Sequence, residues 1–164
     1  MTMDNEEIEN EEVSFNIVLS SVWHDDPPIY EILFDDEVID KNALSEKMSE
    51  DQEKSIKFTK KLKEGNYTIK IRLMGKEWKH TKLDENGNIL LDQLLHIKQI
   101  EIDDIELDHL FYKLSNFHKQ YGTKKGIPVY SETPEIEKYT TIGYNGEYRL
   151  QFSVPTYMWF LENL

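Results

Sequence analysis

The side chains best suited to chemistry in this chain are its acids and its five histidines. Two histidines stand beside an aspartate, His24 in "WHDD" and His109 in "LDHL". Carboxylate and imidazole groups bind divalent metals, so both stretches are candidate ligand sources. No pair of histidines has the HxxxH or HExxH spacing that sets two ligands on one helix face. The sequence therefore favours solvated loop residues over a metal centre at these positions.

The stretch "KLDENGNIL" at 82–90 has the composition of a calcium-binding loop. An EF-hand loop needs Gly at position 6 and Glu at position 12. Counted from Asp84, Gly87 falls at position 4 and Leu95 at position 12. The stretch therefore does not encode an EF-hand.

The same stretch has the sequence of a tight turn. Asn86-Gly87 fits the two central positions of a type I′ turn, both of which need positive φ. Leu83 before the turn and 89–91 after it are then predicted as flanking strands. Asp84 and Asp92 are retained as candidate ligands of a metal site assembled from separate loops.

Enzymatic motifs do not emerge from the sequence. It has no GxSxG, no phosphate-cradling glycine loop and no dinucleotide fingerprint. Acid pairs are so numerous that two carboxylates at a catalytic separation cannot be selected. The protein is therefore expected to have no catalytic residues and not to be an enzyme.

The acidic charge balance limits the classes of partner that the protein is expected to bind. Asp and Glu number 32 against 19 Lys and Arg, which disfavours binding to nucleic-acid phosphates or to an anionic membrane surface. Residues 1–12 hold six acids and no base, and are predicted to be a disordered acidic tail or a peptide that docks on a basic partner. The chain has no cysteine and no membrane-spanning apolar run, and its first residues are not expected to be a secretory signal. Host cytoplasm or a virion is the expected location.

Period-two alternation of apolar side chains predicts an all-β fold. It is found at 13–22, 29–39, 55–62 and 67–74, with turn residues between the segments. At 95–102 the apolar parity changes, which predicts a bulge near Lys98-Gln99. Residues 13–110 are predicted to form the core of a β-sandwich, with Asp35-Asp36 and Asp103-Asp104 as small turns.

Residues 111–164 are predicted to be an aromatic-rich extension packed on the same domain. They hold 12 of the 19 aromatic residues, so recognition or core packing is concentrated there. We expect an irregular segment at 119–141, a hairpin turn at Asn145-Gly146 and a short helix after Pro155. Three roles remain open for the clustered rings: core packing, a protein interface, or a sugar-stacking platform. The candidates are Tyr121, Tyr130, Tyr139, Tyr144 and Trp159.

Three runs, "IYEILFDDEVID", "FTKKLKEGNYTIKIRLMGK" and "LLHIKQIEIDDIEL", together resemble small calcium-dependent xylan-binding carbohydrate modules over roughly 29–107. The resemblance implies a jelly-roll-like antiparallel β-sandwich. It also implies calcium held by loop acids near the final strand, and a glycan as ligand. The acids in the comparable region are Asp84, Asp92, Asp103 and Asp104.

A second resemblance runs from Val13 to the C-terminus. "LDENGNILLDQLLHIKQIEIDDIEL" and "YNGEYRLQFSVPTYMWFLENL" resemble a group of small uncharacterised proteins from tailed bacteriophages. This implies a sandwich domain that binds other virion proteins or itself, with no catalytic residues to carry over. A non-enzymatic accessory virion component is the expected function, and a calcium-dependent carbohydrate-binding module is the alternative.

Overall fold

The computed structural model describes residues 10–49, 51–137 and 139–164, and most of that chain is β-strand. The strands β1 to β13 are, in chain order, Glu11–Val22, Ile29–Phe34, Glu37–Ala43, Lys54–Leu62, Gly65–Met74, Lys82–Leu83, Ile89–Leu91, Leu94–Ile102, Ile105–Glu106, Ser115–Lys124, Ile127–Tyr130, Thr141–Ile142 and Gly146–Val154. The helices are α1 (Leu110–Leu114) and α2 (Thr156–Asn163), with a 3₁₀ turn at Trp78–His80. Among the described residues, no helix has the length and apolar character needed to cross a membrane.

Two antiparallel sheets form the body of the protein. The smaller has the order β12-β8-β1-β4, with β9 added to β8, and the larger has the order β11-β10-β13-β5-β2-β3. Their apolar faces meet in one core, where Phe15 of the smaller sheet packs edge-on against Phe34 and Phe152 of the larger. The predicted all-β antiparallel sandwich with a short C-terminal helix is confirmed.

The predicted bulge is present in β8. Val18 pairs with Gln99 and the next residue, Leu19, pairs with Ile97, so Lys98 is the extra residue. Lys98 is exposed while Ile97 and its apolar neighbours on both sides are buried. One unpaired residue thus lets both apolar parities face the same core.

Of the two predicted turns before and after β8, one has the expected geometry and the other does not. Asp103 and Asp104 both have positive φ and join β8 to β9 as a two-residue hairpin turn. At Asn86-Gly87, however, only Gly87 of the pair has a positive φ, 84°. The loop is a type I turn closed by a glycine bulge, so the predicted type I′ geometry is wrong although the hairpin is present.

The C-terminal region differs most from the sequence-based expectation. Gly146 lies inside the sheet, paired with Leu73 on β5 and Lys119 on β10, and Asn145-Gly146 is not a hairpin turn. Part of the segment predicted to be irregular is the hairpin β10–β11, and the described residues that follow it, 131–137 and 139–140, lack strand structure. Strand β13 occupies the middle of the larger sheet, which makes the region part of the sandwich itself.

The boundary of the acidic tail also shifts. Glu11 and Glu12 belong to β1 and pair with Leu62 and Lys61, so the strand begins inside the predicted tail. The remaining prediction for that tail falls on residues 1–9, which lie outside the described residues.

Candidate functional site

Two hairpins, β6–β7 and β10–β11, project from the same end of the sandwich. Asn145 connects their bases: its Oδ1 accepts from the N–H of Lys76 (2.9 Å) and its Nδ2 donates to the Lys76 carbonyl (3.0 Å). The Asn145 carbonyl accepts from the N–H of Gln120 (3.0 Å). Lys76 follows β5 and leads toward β6–β7, while Gln120 lies in β10. We call this region, with residues 76–91 and 119–130, the hairpin end.

The β6–β7 hairpin exposes large apolar side chains to solvent. Trp78, just before it, is 90% exposed. Leu83 on β6 and all three residues of β7 are also exposed, the latter being Ile89, Leu90 and Leu91. Because successive side chains of a strand alternate between faces, three exposed residues in a row mean that neither face of β7 is covered. A hairpin with two uncovered apolar faces is available to a partner.

The side chain of Asp84 builds the loop of this hairpin. Its Oδ1 accepts the N–H groups of Asn88 (2.9 Å) and Asn86 (2.8 Å), which lowers the pKa of the Asp84 carboxyl. Aspartate commonly holds turns in this way. Asp84 therefore has a structural role in the loop of the β6–β7 hairpin.

Polar contacts of the buried His80 fix the segment that carries Trp78. His80 is buried, and its Nδ1 accepts from the N–H of Glu77 (2.9 Å). Its Nε2 lies 3.2 Å from Asp26 Oδ2, and His24 Nε2 lies 2.9 Å from the His80 carbonyl. Residues of the "WHDD" stretch thus hold the base of the β6–β7 hairpin, and they fix the backbone segment that carries Trp78.

The β10–β11 hairpin combines exposed apolar side chains with positive charge. Tyr121 is 70% exposed and Ile127 is 68% exposed. Residues 115–130 contain three lysines and no acid, in a chain of net charge −13. Lys124 and Lys125 lie at the tip, where β10 ends and the turn begins. This is a basic, apolar projection on an otherwise acidic protein.

A small aromatic cavity lies beside this hairpin. It has a volume of about 60 Å³ and is lined mainly by Phe117, Tyr139, Ile142, Tyr144 and Tyr148. The ring of Tyr144 packs edge-on against Phe117, with 5.4 Å between centroids, and stays partly exposed. The Tyr148 hydroxyl accepts from the N–H of Tyr139 (2.9 Å) and donates to its carbonyl. Burial raises the pKa of Tyr148 to about 12, so that hydroxyl stays protonated at neutral pH.

Tyr130 is placed differently from the other candidate tyrosines. Its ring lies over Arg72, 4.8 Å from Cζ to centroid, and its buried hydroxyl has no hydrogen-bond partner among the described residues. Burial raises the pKa of Tyr130 to about 12. Arg72 bonds Glu31 (Nη1 to Oε1, 2.6 Å) and Glu147 (Nε to Oε1, 2.7 Å) beneath the ring. Tyr130 thus covers the charged side chains of Arg72, Glu31 and Glu147 and is not part of an exposed aromatic surface.

Trp159 is a core residue. It is 6% exposed and packs edge-on against Phe152 and Phe160 from helix α2. Of the three roles left open for the aromatic candidates, Trp159 takes core packing, because the helix turns it inward to cover the end of the core. Tyr121, Tyr139 and Tyr144 are the candidates that remain accessible.

The four candidate metal ligands do not come together. Asp92, the residue after β7, accepts from Lys76 Nζ and Thr81 Oγ1, both at 2.7 Å; burial acts to raise its pKa, but these bonds outweigh burial and lower the pKa. Asp103 accepts from the N–H of Ser14 (3.1 Å) and from Thr156 Oγ1 (2.5 Å) in the region of α2. Asp104 follows it in the same turn, away from Asp84 and Asp92. Within the described part of the chain, no three histidine, aspartate or glutamate side chains are placed to hold an ion.

Sequence reasoning missed Trp78 and the apolar run of β7. Trp78 lies in a polar stretch and has no periodic signal. The run of Ile89, Leu90 and Leu91 did indicate exposure, because three consecutive apolar residues of one strand cannot all face the same core. His80 gave no signal, because its partners are distant in sequence.

Comparisons with protein-family models, curated proteins and solved structures find no significant match to this chain. The resemblances to phage proteins and to carbohydrate modules therefore stay predictions. The geometry itself gives a sandwich with exposed apolar and basic side chains gathered at one end.

Proposed function

We propose that this protein is non-enzymatic and binds another protein through the hairpin end, as an accessory component of a phage particle. The observation that carries the proposal is the exposure of Trp78 together with the uncovered apolar β7 strand. Contiguous exposed apolar surface on a folded protein marks an interaction site. Trp and Tyr supply the largest share of binding energy at such sites.

The shape of the hairpin end favours a protein partner over a small ligand. Small molecules bind in concave sites of roughly 300–1,000 Å³. The two hairpins instead project outward, and the cavity beside Tyr144 holds about 60 Å³. A groove on a partner can receive a projecting hairpin, and the cavity can receive one small side chain from that partner.

Rigid support makes the exposed tryptophan a good anchor. The contacts of His80 hold the Trp78 segment in place, so little conformational entropy is lost when Trp78 is buried by a partner. We expect Trp78→Ala to weaken binding by at least about 2 kcal/mol, roughly thirtyfold in the dissociation constant.

The particle assignment is supported by the resemblance to tailed-phage proteins. Repeated copies on a particle would strengthen a weak contact through avidity. Mass spectrometry of purified particles tests the assignment: the protein is expected at a fixed ratio to the other particle proteins. Its consistent absence would overturn the assignment.

The hairpin end itself is tested by adding purified protein to particles that lack it. Wild-type protein is expected to be retained, and Trp78→Ala and Leu90→Ser are expected to be lost on washing. Val38→Ser is the matched control, because Val38 is also an exposed apolar residue but lies on β3 at the edge of the larger sheet. Equal retention of all variants would rule out the hairpin end as the contact.

The alternative is a calcium-dependent carbohydrate-binding module. Under the proposal above, neither calcium nor a chelator changes the melting temperature, and a glycan array gives no binding. A calcium-dependent rise in melting temperature together with glycan binding would replace the proposal with the alternative. Asp92→Asn and Asp103→Asn would then identify which of the two loop regions holds the ion.

A further inference from the structure

The ring of His80, at the end of the 3₁₀ turn that begins at Trp78, has a hydrogen-bond donor on one side and an acceptor on the other. Its Nδ1 accepts from the N–H of Glu77 (2.9 Å), and its Nε2 lies 3.2 Å from Asp26 Oδ2. A backbone N–H can only donate, so Nδ1 must carry a lone pair and the proton of the ring must lie on Nε2. The two contacts therefore require a neutral imidazole in one defined tautomer.

A second proton on this ring would remove one of the two contacts. The imidazolium form of histidine donates from both nitrogens. The new proton on Nδ1 would then face the N–H of Glu77, and two donors cannot form a hydrogen bond with each other. His80 is only 5% exposed, so little water can reach the ring to accept that proton. Protonation thus breaks the bond between His80 and Glu77 at a buried position.

That bond supports the backbone directly before Trp78. The turn is otherwise closed by two backbone bonds, from the N–H of His80 to the Glu77 carbonyl (3.0 Å) and from the N–H of Thr81 to the Trp78 carbonyl (3.2 Å). Hydrogen bonds of a 3₁₀ turn have poorer geometry than those of an α-helix, so the turn depends on its side-chain support. Loss of that support is expected to let Trp78 move, and a mobile side chain loses more conformational entropy when a partner binds it.

The charges around His80 hold the protonated ring in place. The carboxylate of Asp26 attracts the positive charge at Nε2, although Lys79 Nζ lies 3.8 Å from the same oxygen and weakens that attraction. The other charged groups around this turn pair with each other: Lys79 with Glu77 (3.5 Å), Lys82 with Asp25 (3.6 Å) and Lys76 with Asp92 (2.7 Å). Protonation therefore removes the contact at Nδ1 and keeps the contact at Nε2.

His24 responds to acid in the opposite way. Its Nε2 lies 2.9 Å from the His80 carbonyl and its Nδ1 lies 3.2 Å from Asp25 Oδ2, so both nitrogens face acceptors. The hydrogen bond from His24, and then the charge of Lys82, lower the pKa of Asp25, which favours its carboxylate form. A protonated His24 satisfies both of its contacts. When the pH falls, His80 is therefore the histidine of this pair that loses a contact.

We propose that His80 is a proton-operated switch of the hairpin end: a proton on its Nδ1 breaks the bond to Glu77, frees the Trp78 segment and weakens binding of the partner. The step that concerns the partner rests on the proposed function. The release of Trp78 does not, and it is measured on the protein alone.

The first test follows the purified full chain by NMR from about pH 8 to about pH 5, the interval in which histidine ordinarily changes charge. Imidazole nitrogen shifts report the tautomer and charge of His80. Hydrogen exchange of the Glu77 amide and the order parameter of the Trp78 indole report the state of the turn. We expect the Nε2–H tautomer at about pH 8 and, as His80 gains its second proton, at least about threefold weaker protection of the Glu77 amide.

Three outcomes of this titration would overturn the switch. They are an Nδ1–H tautomer at about pH 8, a His80 that stays neutral down to about pH 5, and a Glu77 amide that keeps its protection when His80 is charged. Amides of the core strands should keep their protection throughout, which separates local release from unfolding.

The second test separates the two nitrogens of His80 by substitution. Asparagine places an amide oxygen near the position of Nδ1, whereas glutamine places its amide near Nε2 and leaves the N–H of Glu77 without an acceptor. His80→Asn should therefore keep Trp78 ordered over the whole pH interval, and His80→Gln should leave it mobile throughout. His24→Gln is the matched control and should keep the acid response, because His80 keeps both partners. Loss of the response in His24→Gln would assign the titration to His24 and overturn the inference.

The third test washes particles that carry the protein at about pH 7.5 and at about pH 5.5. Wild-type protein is expected to be released at the lower pH, and His80→Asn is expected to be retained at both, which also shows that the particles survive. Retention of wild type at both values, or release of both proteins at the lower one, would overturn the link between His80 and binding. Failure of wild type to bind at either pH would instead overturn the proposed function, and the NMR result would still decide whether His80 releases Trp78.

Discussion

The ring of Tyr130 lies over the guanidinium of Arg72, with 4.8 Å between Cζ and the ring centroid. Arg72 is flanked in register by Glu31 on β2 and Glu147 on β13, so the three charges form a row across adjacent strands. Glu31 and Glu147 are buried, and each bonds Arg72. Burial lowers the pKa of Arg72, but the bonds to Glu147 and Glu31 outweigh it and raise the pKa above its ordinary value.

Arg72→Met is expected to lower the free energy of unfolding by about 3–5 kcal/mol, because it leaves two buried carboxylates without their cation. Urea unfolding measures the change. The matched control is Lys70→Met, on the same face of β5, whose partner Asp36 has a side chain 99% exposed. Its expected cost is below about 1 kcal/mol. Similar costs for the two variants would show that the row does not stabilise the fold.

Gly146→Ala is expected to cost about 1–3 kcal/mol of unfolding free energy. A Cβ at this position would lie 2.5 Å from Phe117 Cζ and 2.8 Å from the backbone oxygen of His118, and the strand pairing of β10 prevents that oxygen from moving. At Gly143 the nearest atom that a Cβ would meet is 3.5 Å away, in the Leu94 side chain, so Gly143→Ala is the control and should be nearly neutral. Thermal unfolding of both variants checks the difference, and an equally mild effect at Gly146 would contradict the close approach.

Tyr148→Phe is expected to cost about 1–3 kcal/mol, since it leaves the N–H and carbonyl of Tyr139 without the hydroxyl that bonds them. The cost should be partly local, with faster protease cleavage between Ser131 and Tyr144. Tyr121→Phe serves as the control, because the Tyr121 ring is exposed on the hairpin. Cleavage at the wild-type rate in Tyr148→Phe would show that the hydroxyl does not hold this segment.

His96 is expected to make stability depend on pH. Burial lowers its pKa below the ordinary value of 6.5, and the charge of Lys98 lowers it further. The unfolded chain then binds a proton at a higher pH than the folded chain. This stabilisation is complete above about pH 6.5 and is lost as pH falls through the folded pKa.

Urea unfolding from about pH 8 to about pH 5 measures this dependence. The variant His96→Gln should lose less stability than wild type over that interval, because glutamine does not titrate. The His96→Gln variant also loses or changes the hydrogen bond between His96 Nδ1 and Thr141 Oγ1 (2.8 Å), and it does so at every pH. The informative quantity is therefore the slope of the free energy of unfolding against pH. Identical slopes would show that His96 has no shifted titration.

The sequence predicted the strands well because alternation is a local property. The bulge at Lys98 followed from a change of parity alone, and the turn at Asp103-Asp104 from two turn-forming residues in a row. The turn at Asn145-Gly146 failed for the opposite reason. That pair has the composition of a turn, but Gly146 is required by the close approach of Phe117, which lies 29 residues away in sequence.

The candidate site was predicted only in part. Tyr121, Tyr139 and Tyr144 are accessible, whereas Trp159 packs into the core and Tyr130 covers Arg72. Composition alone cannot separate these cases, because an aromatic ring suits a core, a lid and an interface equally well. Trp78 was missed, since exposure without periodicity leaves no pattern in the sequence.

The sequence by itself determined the architecture class and the segments that form strands, because period-two alternation fixes which side of each strand avoids water. Tertiary structure decided which aromatic residues stay exposed, which acids already have partners, and that the β6–β7 and β10–β11 hairpins lie at the same end of the sandwich. Those outcomes depend on strand order and on contacts between residues far apart in the chain. Burial and charge neighbours are set by these long-range pairings, which no local pattern of residues specifies.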